Sequence, residues 1–397
     1  MLLLVINSGS SSIKFQVFEA LHLKVRAKGL IEKIGKPDTK AKLYVFEKDG
    51  FKRHITIEKS LPTHKKAIEL MEELLNEAGF SRKRLIAIGH RVVHGGEEFK
   101  EPVIVNKKIL EKLESLNALA PLHNPANIEG IKVAMKRAPH IPQVAVFDTS
   151  FHQTLPAYAY LYALPYEFYK NNKVRRYGFH GTSHLYVSKK ASDYLKVPYE
   201  KLKMISIHLG NGASIAAISC GRCIDTSMGF TPLEGLMMGT RCGDIDPAIV
   251  FYLHRETNLS YKEIEKLLYE KSGLLGICNE NDMRNILKKA QNGDAQAKLA
   301  VEMYCYRIKK YIGAYYAVLS GLNCVVFTGG VGENSPLIRH KSIKDLSHLG
   351  ILLDEDKNTF VQKDIIDISK KTSKVKILVI PTNEELEIAR QTLNKIS

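Results

Sequence analysis

The stretch that decides the fold runs Leu2-Leu-Leu-Val-Ile-Asn-Ser-Gly-Ser-Ser-Ser-Ile-Lys-Phe-Gln-Val-Phe18. Its apolar first part ends at Ile6, a polar turn covers residues 7–12, and apolar and polar side chains alternate from Ile13 onward. An apolar run, a turn of small polar residues and an alternating run are typical of a β-strand, a tight turn and a second strand. The first residues of the chain therefore predict a β-hairpin.

The same pattern returns in the second half of the chain. Met204-Ile-Ser-Ile-His-Leu209 runs into Gly210-Asn-Gly-Ala-Ser214 and then into Ile215-Ala-Ala-Ile-Ser219. Placing Ser214 on Ser12 aligns the two predicted hairpins without a gap. A repeated unit of this kind indicates an internal duplication of a whole domain.

The remaining segments alternate between helical and strand-like patterns. The predicted helices cover residues 63–79, 295–320 and 383–395, and the predicted strands cover residues 85–88, 144–147, 324–327 and 377–380. Asp294 is a typical helix N-cap, and Gly321 is a typical helix stop. Strands that alternate with helices predict an α/β fold with mixed or parallel sheets, in which ligands bind at the carboxyl ends of the strands.

Length and composition limit the classes of protein to consider. The 397 residues are enough for two domains at roughly 150 residues each. A chain that is 45% hydrophobic and 25% charged is typical of a soluble, packed protein. The formal net charge of +16 favours anionic partners. Because the basic residues are scattered and no aromatic pattern is interleaved with them, we predict no nucleic-acid partner.

Six cysteines are too few for a disulfide scaffold in a chain of this length. Cys220 and Cys223 have C-x-x-C spacing, but no second pair completes four metal ligands, so we interpret them as two thiols near a turn. No apolar stretch approaches the roughly 18 residues of a membrane span, and the N-terminal run lacks the basic residues of a signal peptide. The sequence predicts a cytoplasmic protein without a membrane partner.

Three predicted strands end in glycine and small hydroxyl residues, at 7–12, 210–212 and 328–335. Glycines leave backbone N–H groups unshielded, and consecutive N–H groups bind phosphate oxygens. Each segment alone is also compatible with an ordinary tight turn. None of them matches the P-loop or a clean dinucleotide-binding pattern.

Three side chains in glycine-rich surroundings are candidates for binding an anion. Arg91 follows Gly89-His90 at the end of a predicted strand, and Arg241 lies between Thr240 and a Cys-Gly-Asp sequence. A planar guanidinium group suits a carboxylate or a phosphate. His180 is also next to a glycine, although a single histidine in such a place is more often structural.

These residues lie within a series of motifs that resembles the acetate kinase family. The motifs are NSGSSSIKF at 7–15, GHRVVHGG at 89–96, FDTSFHQT at 147–154, RRYGFHGTSH at 175–184, HLGNGAS at 208–214, DTSMGFTPLEGLMMGTR at 225–241, FTGGVGENS at 327–335 and TNEE at 382–385. The resemblance runs from residue 2 to about 390 and keeps the family order.

The resemblance implies a fold of the acetate and sugar kinase, heat-shock ATPase and actin superfamily. Two ribonuclease H-like (actin-like ATPase) domains with an interdomain cleft are expected. The first would cover residues 1–148, with the C-terminal helix at 384–397 packing back on it. The second, nucleotide-binding domain would cover residues 149–383. The family also implies a homodimer.

The resemblance further implies roles for individual residues. Arg91 and Arg241 would hold the carboxylate and the phosphoryl group in transfer, His180 would donate a hydrogen bond to that phosphoryl group, and Asp148 would orient a cation or water. Asn7 and Glu384 would bind Mg²⁺ or Mn²⁺. The acetate methyl pocket would be formed by Val93, Leu122, Phe179 and Pro232. The ATP or ADP site would be formed by Lys14, His208, Leu209, Gly210, Asn211, Gly212, Asp282, Met283, Arg284, Gly330, Val331, Gly332, Glu333 and Asn334.

The activity implied is the reversible transfer of the γ-phosphoryl group from ATP to acetate, which gives acetyl phosphate and ADP. A propionate or short-chain acyl kinase of the same family is the alternative, and an ATP-driven conformational protein of the superfamily is a more distant one. Cys242, Cys278 and Asn279 depart from the family pattern. The departures near the adenosine contacts leave the preferred nucleotide base open.

Overall fold

A computed structural model gives the fold and describes residues 1–47, 50–121, 123–359 and 364–397. The chain divides into two compact units. The first unit contains Met1–Ser150 together with Asn383–Ser397, and the second contains Phe151–Thr382. The chain therefore passes between the units at Ser150 and again at Thr382.

The first unit is built on a sheet of eight strands among the described residues. In chain order they are β1 (Leu2–Ser8), β2 (Ser12–Glu19), β3 (Lys24–Glu32), β4 (Lys40–Glu47), β5 (Gly50–Glu58), β6 (Leu85–Val92), β7 (Val103–Ile104) and β8 (Gln143–Phe147). Their order in the sheet is β5-β4-β3-β2-β1-β6-β8-β7. Because β1, β6 and β8 are parallel, their carboxyl ends meet at one edge of the sheet.

Helices cover both faces of this sheet. They are α1 (His64–Glu77), α2 (Lys107–Ser115), α3 (Asn124–Arg137) and the C-terminal helix (Glu384–Ile396). On one face, Leu4 and Ile6 of β1 pack with Ile68 and Leu74 of α1. On the other, Leu3 and Val5 of β1 pack with Ile388 of the C-terminal helix. The alternation of buried side chains along β1 thus serves two cores, which explains why the strand is apolar throughout.

The second unit contains a six-stranded sheet among the described residues. Its strands are β9 (Lys203–Leu209), β10 (Ala213–Ser219), β11 (Arg222–Thr226), β12 (Cys324–Thr328), β13 (Ile366–Asp367) and β14 (Lys376–Val379). Their order is β11-β10-β9-β12-β14-β13, with β9, β12 and β14 parallel.

The helices of the second unit lie before and between these strands. They are α4 (Ala157–Tyr160), α5 (Tyr166–Asn172), α6 (Gly181–Leu195), α7 (Ala248–Thr257), α8 (Tyr261–Glu270), α9 (Gly273–Cys278), α10 (Met283–Gln291), α11 (Ala295–Leu319), α12 (Gly329–Asn334), α13 (Pro336–Ile343) and α14 (Glu355–Asn358). Across the two units, short 3₁₀ helices cover Arg82–Arg84, Leu116–Leu119, Ser150–Thr154, Tyr199–Lys201 and Ser347–Leu349. No helix among the described residues is long and apolar enough to span a membrane.

The two sheets share one topology. The order β3-β2-β1-β6-β8-β7 of the first unit corresponds strand by strand to β11-β10-β9-β12-β14-β13 of the second. In both series the first three strands form antiparallel pairs, the next two are parallel to the third, and the last is antiparallel to its neighbour. The repeated order is the structural form of the internal duplication.

The gapless alignment of the two hairpins is wrong, however. Ser8 pairs with Ile13, so four residues form the first turn, whereas Leu209 pairs with Ala213, so three residues form the second. A side-chain period of two makes register sensitive to a single residue. The turn after β1 is therefore one residue longer than the turn after β9, although the two turns occupy equivalent positions in the two sheets.

Candidate active site

Three polar side chains of the first unit lie at the carboxyl ends of its parallel strands. Asn7 lies near the end of β1, Arg91 near the end of β6, and Asp148 directly follows β8. Because Asp148 N donates to Val92 O at 3.0 Å, the end of β8 is held against the end of β6. Strand order and parallel pairing thus bring together three residues that are far apart in sequence.

The closest contact in this group is an ion pair between Arg91 and Asp148. Arg91 Nε donates to Asp148 Oδ1 and Oδ2 at 3.2 and 3.0 Å, and Arg91 Nη2 donates to Oδ2 at 2.5 Å. Arg91 Nη1 donates to Asn7 Oδ1 at 3.3 Å. Although burial lowers the pKa of Arg91, the nearby Asp148 and Glu384 carboxylates raise it above its usual value. The guanidinium is therefore permanently charged and fixed in direction.

Glu384 opens the C-terminal helix on the same side of the first unit. Burial raises the pKa of this carboxyl to about 7, against the lowering effect of Arg91, and the Asp148 and Glu385 carboxylates add to the rise. Lys14 of β2 contributes a smaller opposing effect. The group of carboxyls is thus short of positive charge, and an added cation would stabilise its ionised form.

The donor set of this group fits a hard cation. Asn7 supplies an amide oxygen and Glu384 a carboxylate, which are the oxygen ligands that Mg²⁺ and Mn²⁺ take. Across the described part of the chain, no group of three or more His, Cys, Asp or Glu side chains forms a metal site made of protein alone. A Mg²⁺ ion held largely by substrate phosphates and water requires only one or two protein ligands.

In the second unit, His180 and Arg241 both approach the backbone of Gly212. A Cβ built on Gly212 would lie 3.4 Å from His180 Cε1, 3.5 Å from His180 Nε2 and 3.6 Å from Arg241 Nη1. A side chain at position 212 would therefore contact both His180 and Arg241, whereas glycine does not. The structure thus brings together three residues that the sequence placed in three different motifs.

Arg241 is held without a carboxylate. Its Nη1 donates to Pro232 O at 3.2 Å, and its guanidinium lies 6.0 Å from the centre of the Tyr269 ring. Within the described residues, no Asp or Glu forms an ion pair with it. Burial lowers the pKa of Arg241, and Tyr269 partly opposes this effect. A half-buried cation without a counter-ion favours an anionic ligand.

The glycine-rich segments of the second unit differ in structure. Gly210–Gly212 is a turn, closed by a hydrogen bond from Gly210 N to Gly212 O at 2.9 Å. Gly239 N donates to Asn211 O at 3.0 Å, and any side chain at Gly239 would collide with Asn211. His208 and Leu209 end β9 just before this turn and are buried.

The third segment was predicted as a turn, and this is wrong because residues 329–334 form helix α12. Glu333 Oε1 accepts hydrogen bonds from Gly329 N at 2.8 Å and Thr382 N at 3.0 Å, so this carboxylate caps the helix start. Gly330 is exposed and Val331 half-buried, whereas Gly332 is buried. Asn334 Nδ2 donates to Gly330 O at 2.9 Å. Free backbone N–H groups of a first helical turn still suit a phosphate.

Asp282 and Arg284, predicted to contact adenosine, lie with Met283 of the predicted nucleotide site at the start of α10. Asp282 caps the helix by accepting from Arg284 N at 2.9 Å, and Arg284 Nη2 donates to Asp282 Oδ2 at 2.5 Å. This pairing lowers the pKa of Asp282 to about 2. The Arg284 side chain is 90% exposed, whereas Met283 is buried. The structure therefore presents a charged pair at this point, with the methionine side chain turned into the core.

The predicted acyl-pocket residues are divided between the units. Val93 is buried in the first unit, where Val93 N donates to Asn127 Oδ1 at 3.0 Å. In the second unit, Phe179 is buried and Pro232 contacts Arg241 through its carbonyl. Leu122 lies outside the described residues.

A group of buried polar residues near His180 was not predicted from the sequence. Ser183, His184, Ser206 and Ser214 are all fully buried, and His208 is nearly so. Ser206 and His208 alternate with Ile205 and Ile207 in β9, so the signal was two polar residues at a spacing of two in a buried strand.

Comparison with known proteins gives the relationship of the whole chain. Residues 2–390 match the profile of the acetokinase family. An acetate kinase from Dictyoglomus thermophilum is 52% identical over 401 residues, which cover 100% of this chain and 99% of the relative. An acetate kinase from Helicobacter acinonychis is 50% identical over 395 residues, which cover 98% of each chain.

Two solved structures are similar along the full length. The Porphyromonas gingivalis acetate kinase has a TM-score of 0.93 and 44% identity, and the match covers 100% of both chains. A propionate kinase from Francisella tularensis has a TM-score of 0.93 and 44% identity, with 99% of each chain covered. The predicted duplicated ribonuclease H-like fold of the actin-like ATPase type is confirmed. The protein belongs to the acetokinase family.

Proposed function

We propose that this protein transfers the γ-phosphoryl group of ATP to acetate, giving acetyl phosphate and ADP, and catalyses the reverse reaction. Family membership and full-length similarity to acetate kinases confirm the predicted class of enzyme, a kinase that acts on acetate. The observation that carries the mechanism is that Arg241 and His180 both lie next to the Gly212 backbone. A ring nitrogen of His180 and a guanidinium nitrogen of Arg241 thus lie close to the same glycine, which supports a shared role in binding the transferred group.

The reaction needs positive charge at the point of transfer. Acetate attacks a phosphate that is itself negative, and two unit charges 4 Å apart repel by about 1 kcal/mol in water and about 4 kcal/mol at an effective dielectric constant of 20. Arg91, Arg241 and His180 would offset this repulsion and stabilise the charge on the transferred group in an in-line displacement. Arg91 and Arg241 are also the groups proposed to hold the acetate carboxylate.

No general base is needed. Acetate has a carboxyl with a reference pKa near 4, so it is ionised at pH 7 and already nucleophilic. Asp148 accepts three hydrogen bonds from Arg91, which supports the role of orienting that cation. A sugar kinase, in contrast, has to remove a proton from a hydroxyl group.

Asn7 and Glu384 are the residues proposed to hold Mg²⁺ or Mn²⁺. A divalent ion in this position supplies charge neutralisation for the phosphate oxygens. Glu384 is suited to the role because burial and two neighbouring carboxyls disfavour its ionisation until a cation is present. Asn7 is already oriented by its hydrogen bond to Arg91.

The nucleotide is proposed to bind to the second unit. Gly210–Gly212 with His208 and Leu209, and Gly330–Asn334 in α12, supply the phosphate contacts, and Lys14 of the first unit is a further candidate. Asp282 and Arg284 supply the adenosine contacts, and Met283 between them is part of the same nucleotide site.

We also propose that nucleotide closes the two predicted domains, 1–148 with 384–397 and 149–383, around the substrates. Hydrogen exchange near Asp148 and Thr382 should slow with ADP and Mg²⁺, and identical exchange maps would contradict closure.

A propionate kinase remains the second candidate, because one of the similar solved structures is that of a propionate kinase. Val93, Phe179 and Pro232 are all bulky, which favours the smaller acid. Discrimination by one methylene in an apolar pocket is on the order of 10- to 200-fold.

The decisive experiment is an ATP-dependent assay in which hydroxylamine traps the acyl phosphate. With Mg²⁺ present, acetate should give trapped product faster than propionate, and butyrate should give almost none. A higher kcat/KM for propionate would make the protein a propionate kinase. Full activity in excess chelator would contradict the metal proposal.

The homodimer is proposed on the same family basis, and light scattering should give twice the 44.6 kDa of one chain. The cytoplasmic location stays a prediction.

A further inference from the structure

Four side chains of the second unit form an unbroken series of hydrogen bonds from Ser206 to His180. Ser206 Oγ lies 2.8 Å from His184 Nδ1, His184 Nε2 lies 2.8 Å from Ser214 Oγ, and Ser214 Oγ lies 3.0 Å from His180 Nδ1. Ser206, His184 and Ser214 are each 0% exposed. We call these four residues the serine–histidine chain.

The fold explains why these residues meet. Ser206 and His208 point to the same face of β9, and Ser214 of β10 stands directly opposite His208 in the register. Helix α6 packs on β9 and carries His184 in its first turn, one turn after His180. The polar face of two strands therefore lies beneath the start of one helix.

The positions of the hydroxyl protons determine which atom donates in each hydrogen bond of the serine–histidine chain. Among the described residues, His184 Nδ1 is the only hydrogen-bond partner of the Ser206 hydroxyl. Leaving a fully buried hydroxyl proton without an acceptor is costly, and most buried polar groups are hydrogen-bonded, so the arrangement in which the hydroxyl donates is favoured. Ser206 therefore donates to His184 Nδ1, and this nitrogen carries no proton of its own.

The next two links follow from the first. Burial holds the pKa of His184 well below its usual value, and the nearby His152 and His208 add to the effect, so the ring is neutral. A neutral imidazole with a bare Nδ1 carries its proton on Nε2 and donates it, here to Ser214 Oγ. The Ser214 proton is then directed to the remaining neighbour, His180 Nδ1.

We propose that Ser206, His184 and Ser214 fix His180 in the tautomer whose proton is on Nε2. They are positioning residues, because they act through His180 and touch no substrate in the proposed reaction. The Nε2 edge of His180 is the edge that faces Gly212. The serine–histidine chain thus points an N–H donor at the position proposed for the transferred phosphoryl group, and this consequence rests on the proposed function.

The direct test is nitrogen NMR of the full-length protein labelled with ¹⁵N-histidine, measured by magic-angle spinning. The signals of His180 are assigned by their loss in His180→Asn. We expect a protonated Nε2 and a bare Nδ1 in the wild-type protein at neutral pH. A protonated Nδ1, alone or in an imidazolium ring, would overturn the proposal.

Variants test the two serines separately. Ser214→Ala and Ser206→Ala should each give His180 a mixture of tautomers, and kcat should fall on the order of tenfold, the rate effect of one buried hydrogen bond, with both KM values nearly unchanged. The matched control is Ser192→Ala in α6, because Ser192 is also buried and donates to a backbone oxygen, Val197 O, at 2.7 Å. This control should keep the wild-type nitrogen spectrum and rate.

The outcomes separate this proposal from the proposed function. A wild-type His180 spectrum in both Ser214→Ala and Ser206→Ala would overturn the tautomer assignment, whatever the activity. A mixed spectrum with an unchanged kcat would overturn its role in the reaction. If the wild-type spectrum is as expected but no acyl phosphate is formed, the chain's direction stands and the proposed function fails.

Discussion

The two arginines proposed to act in the reaction, one in each unit, have opposite electrostatic surroundings. Arg91 of the first unit is paired with the buried Asp148 carboxylate, and nearby carboxyls raise its pKa. Arg241 of the second unit donates to a backbone carbonyl, has no carboxylate partner among the described residues, and has its pKa lowered by burial. The same side chain is therefore used in two ways within one fold.

This difference indicates a division of roles. Asp148 accepts hydrogen bonds from Nε and Nη2 of Arg91. These bonds fix the direction of the guanidinium group and leave fewer of its N–H groups available to a ligand. Arg241 keeps most of its donors available, and an anion would supply the missing negative charge. We expect Arg91 to be needed for both structure and activity, and Arg241 for activity alone.

The largest expected effect is the loss of rate on removing either guanidinium. Arg91→Ala and Arg241→Ala should each lower kcat by about 10²- to 10³-fold, the cost of removing one donor to a developing charge. Replacement by Lys should restore little, because an ammonium group cannot form the planar fork. Steady-state kinetics of the four variants measure this, and a near-normal rate in either Lys variant would show that charge alone suffices.

Asp148→Asn should have the next largest effect. The amide keeps one acceptor for Arg91 but loses the charge, so kcat should fall about 10- to 100-fold, the range for one charge-assisted hydrogen bond. The loss should be the same across neutral pH, because no proton is removed by this residue. A loss that shrinks as pH rises would instead indicate a general base that hydroxide can replace.

Val93→Ala should change specificity more than rate. Wild type should prefer acetate to propionate, since overpacking a closed pocket costs about 1–3 kcal/mol while an added methylene that fits contributes about 0.8 kcal/mol of burial. The smaller side chain should narrow the ratio of kcat/KM values by roughly tenfold. An unchanged ratio would show that Val93 does not line the acyl pocket.

Arg284→Ala should have the smallest effect. The side chain is 90% exposed and already paired with Asp282, so its interaction with a nucleotide would be screened by solvent. The KM for ATP should rise only a few-fold, with kcat and the KM for acetate unchanged. A large rise in the KM for ATP would contradict this expectation and would indicate that Arg284 contacts the adenosine closely.

The elements that could be predicted from sequence are those with strong local signals. Thr63 and Asp294 cap α1 and α11, whose starts at His64 and Ala295 agree with the predicted positions. The four strands predicted beyond the hairpins are present as β6, β8, β12 and β14. Local periodicity and capping are sufficient for such elements because no distant partner is needed to define them.

Other features depend on distant partners. The β3–β5 meander was not predicted, although buried and half-buried side chains alternate along β4 and give a local strand signal. Helix α12 was predicted as a turn, since nothing local shows that the Glu333 carboxylate would cap Gly329. Arg91, Asp148 and Arg241 were identified from sequence motifs. The ion pair between Arg91 and Asp148, and the lack of a carboxylate partner for Arg241 among the described residues, could be recognised only from the folded structure.

The most direct test of the division between the two arginines is the urea unfolding of Arg91→Met and Arg241→Met beside wild type, with kcat measured on the same preparations. Removing Arg91 leaves Asp148 buried without its cation, so the free energy of unfolding should fall by about 3 kcal/mol. Removing Arg241 breaks no ion pair, so its free energy of unfolding should stay within about 1 kcal/mol of wild type while activity is lost. Equal destabilisation by the two substitutions, or an active Arg241→Met enzyme, would contradict the division.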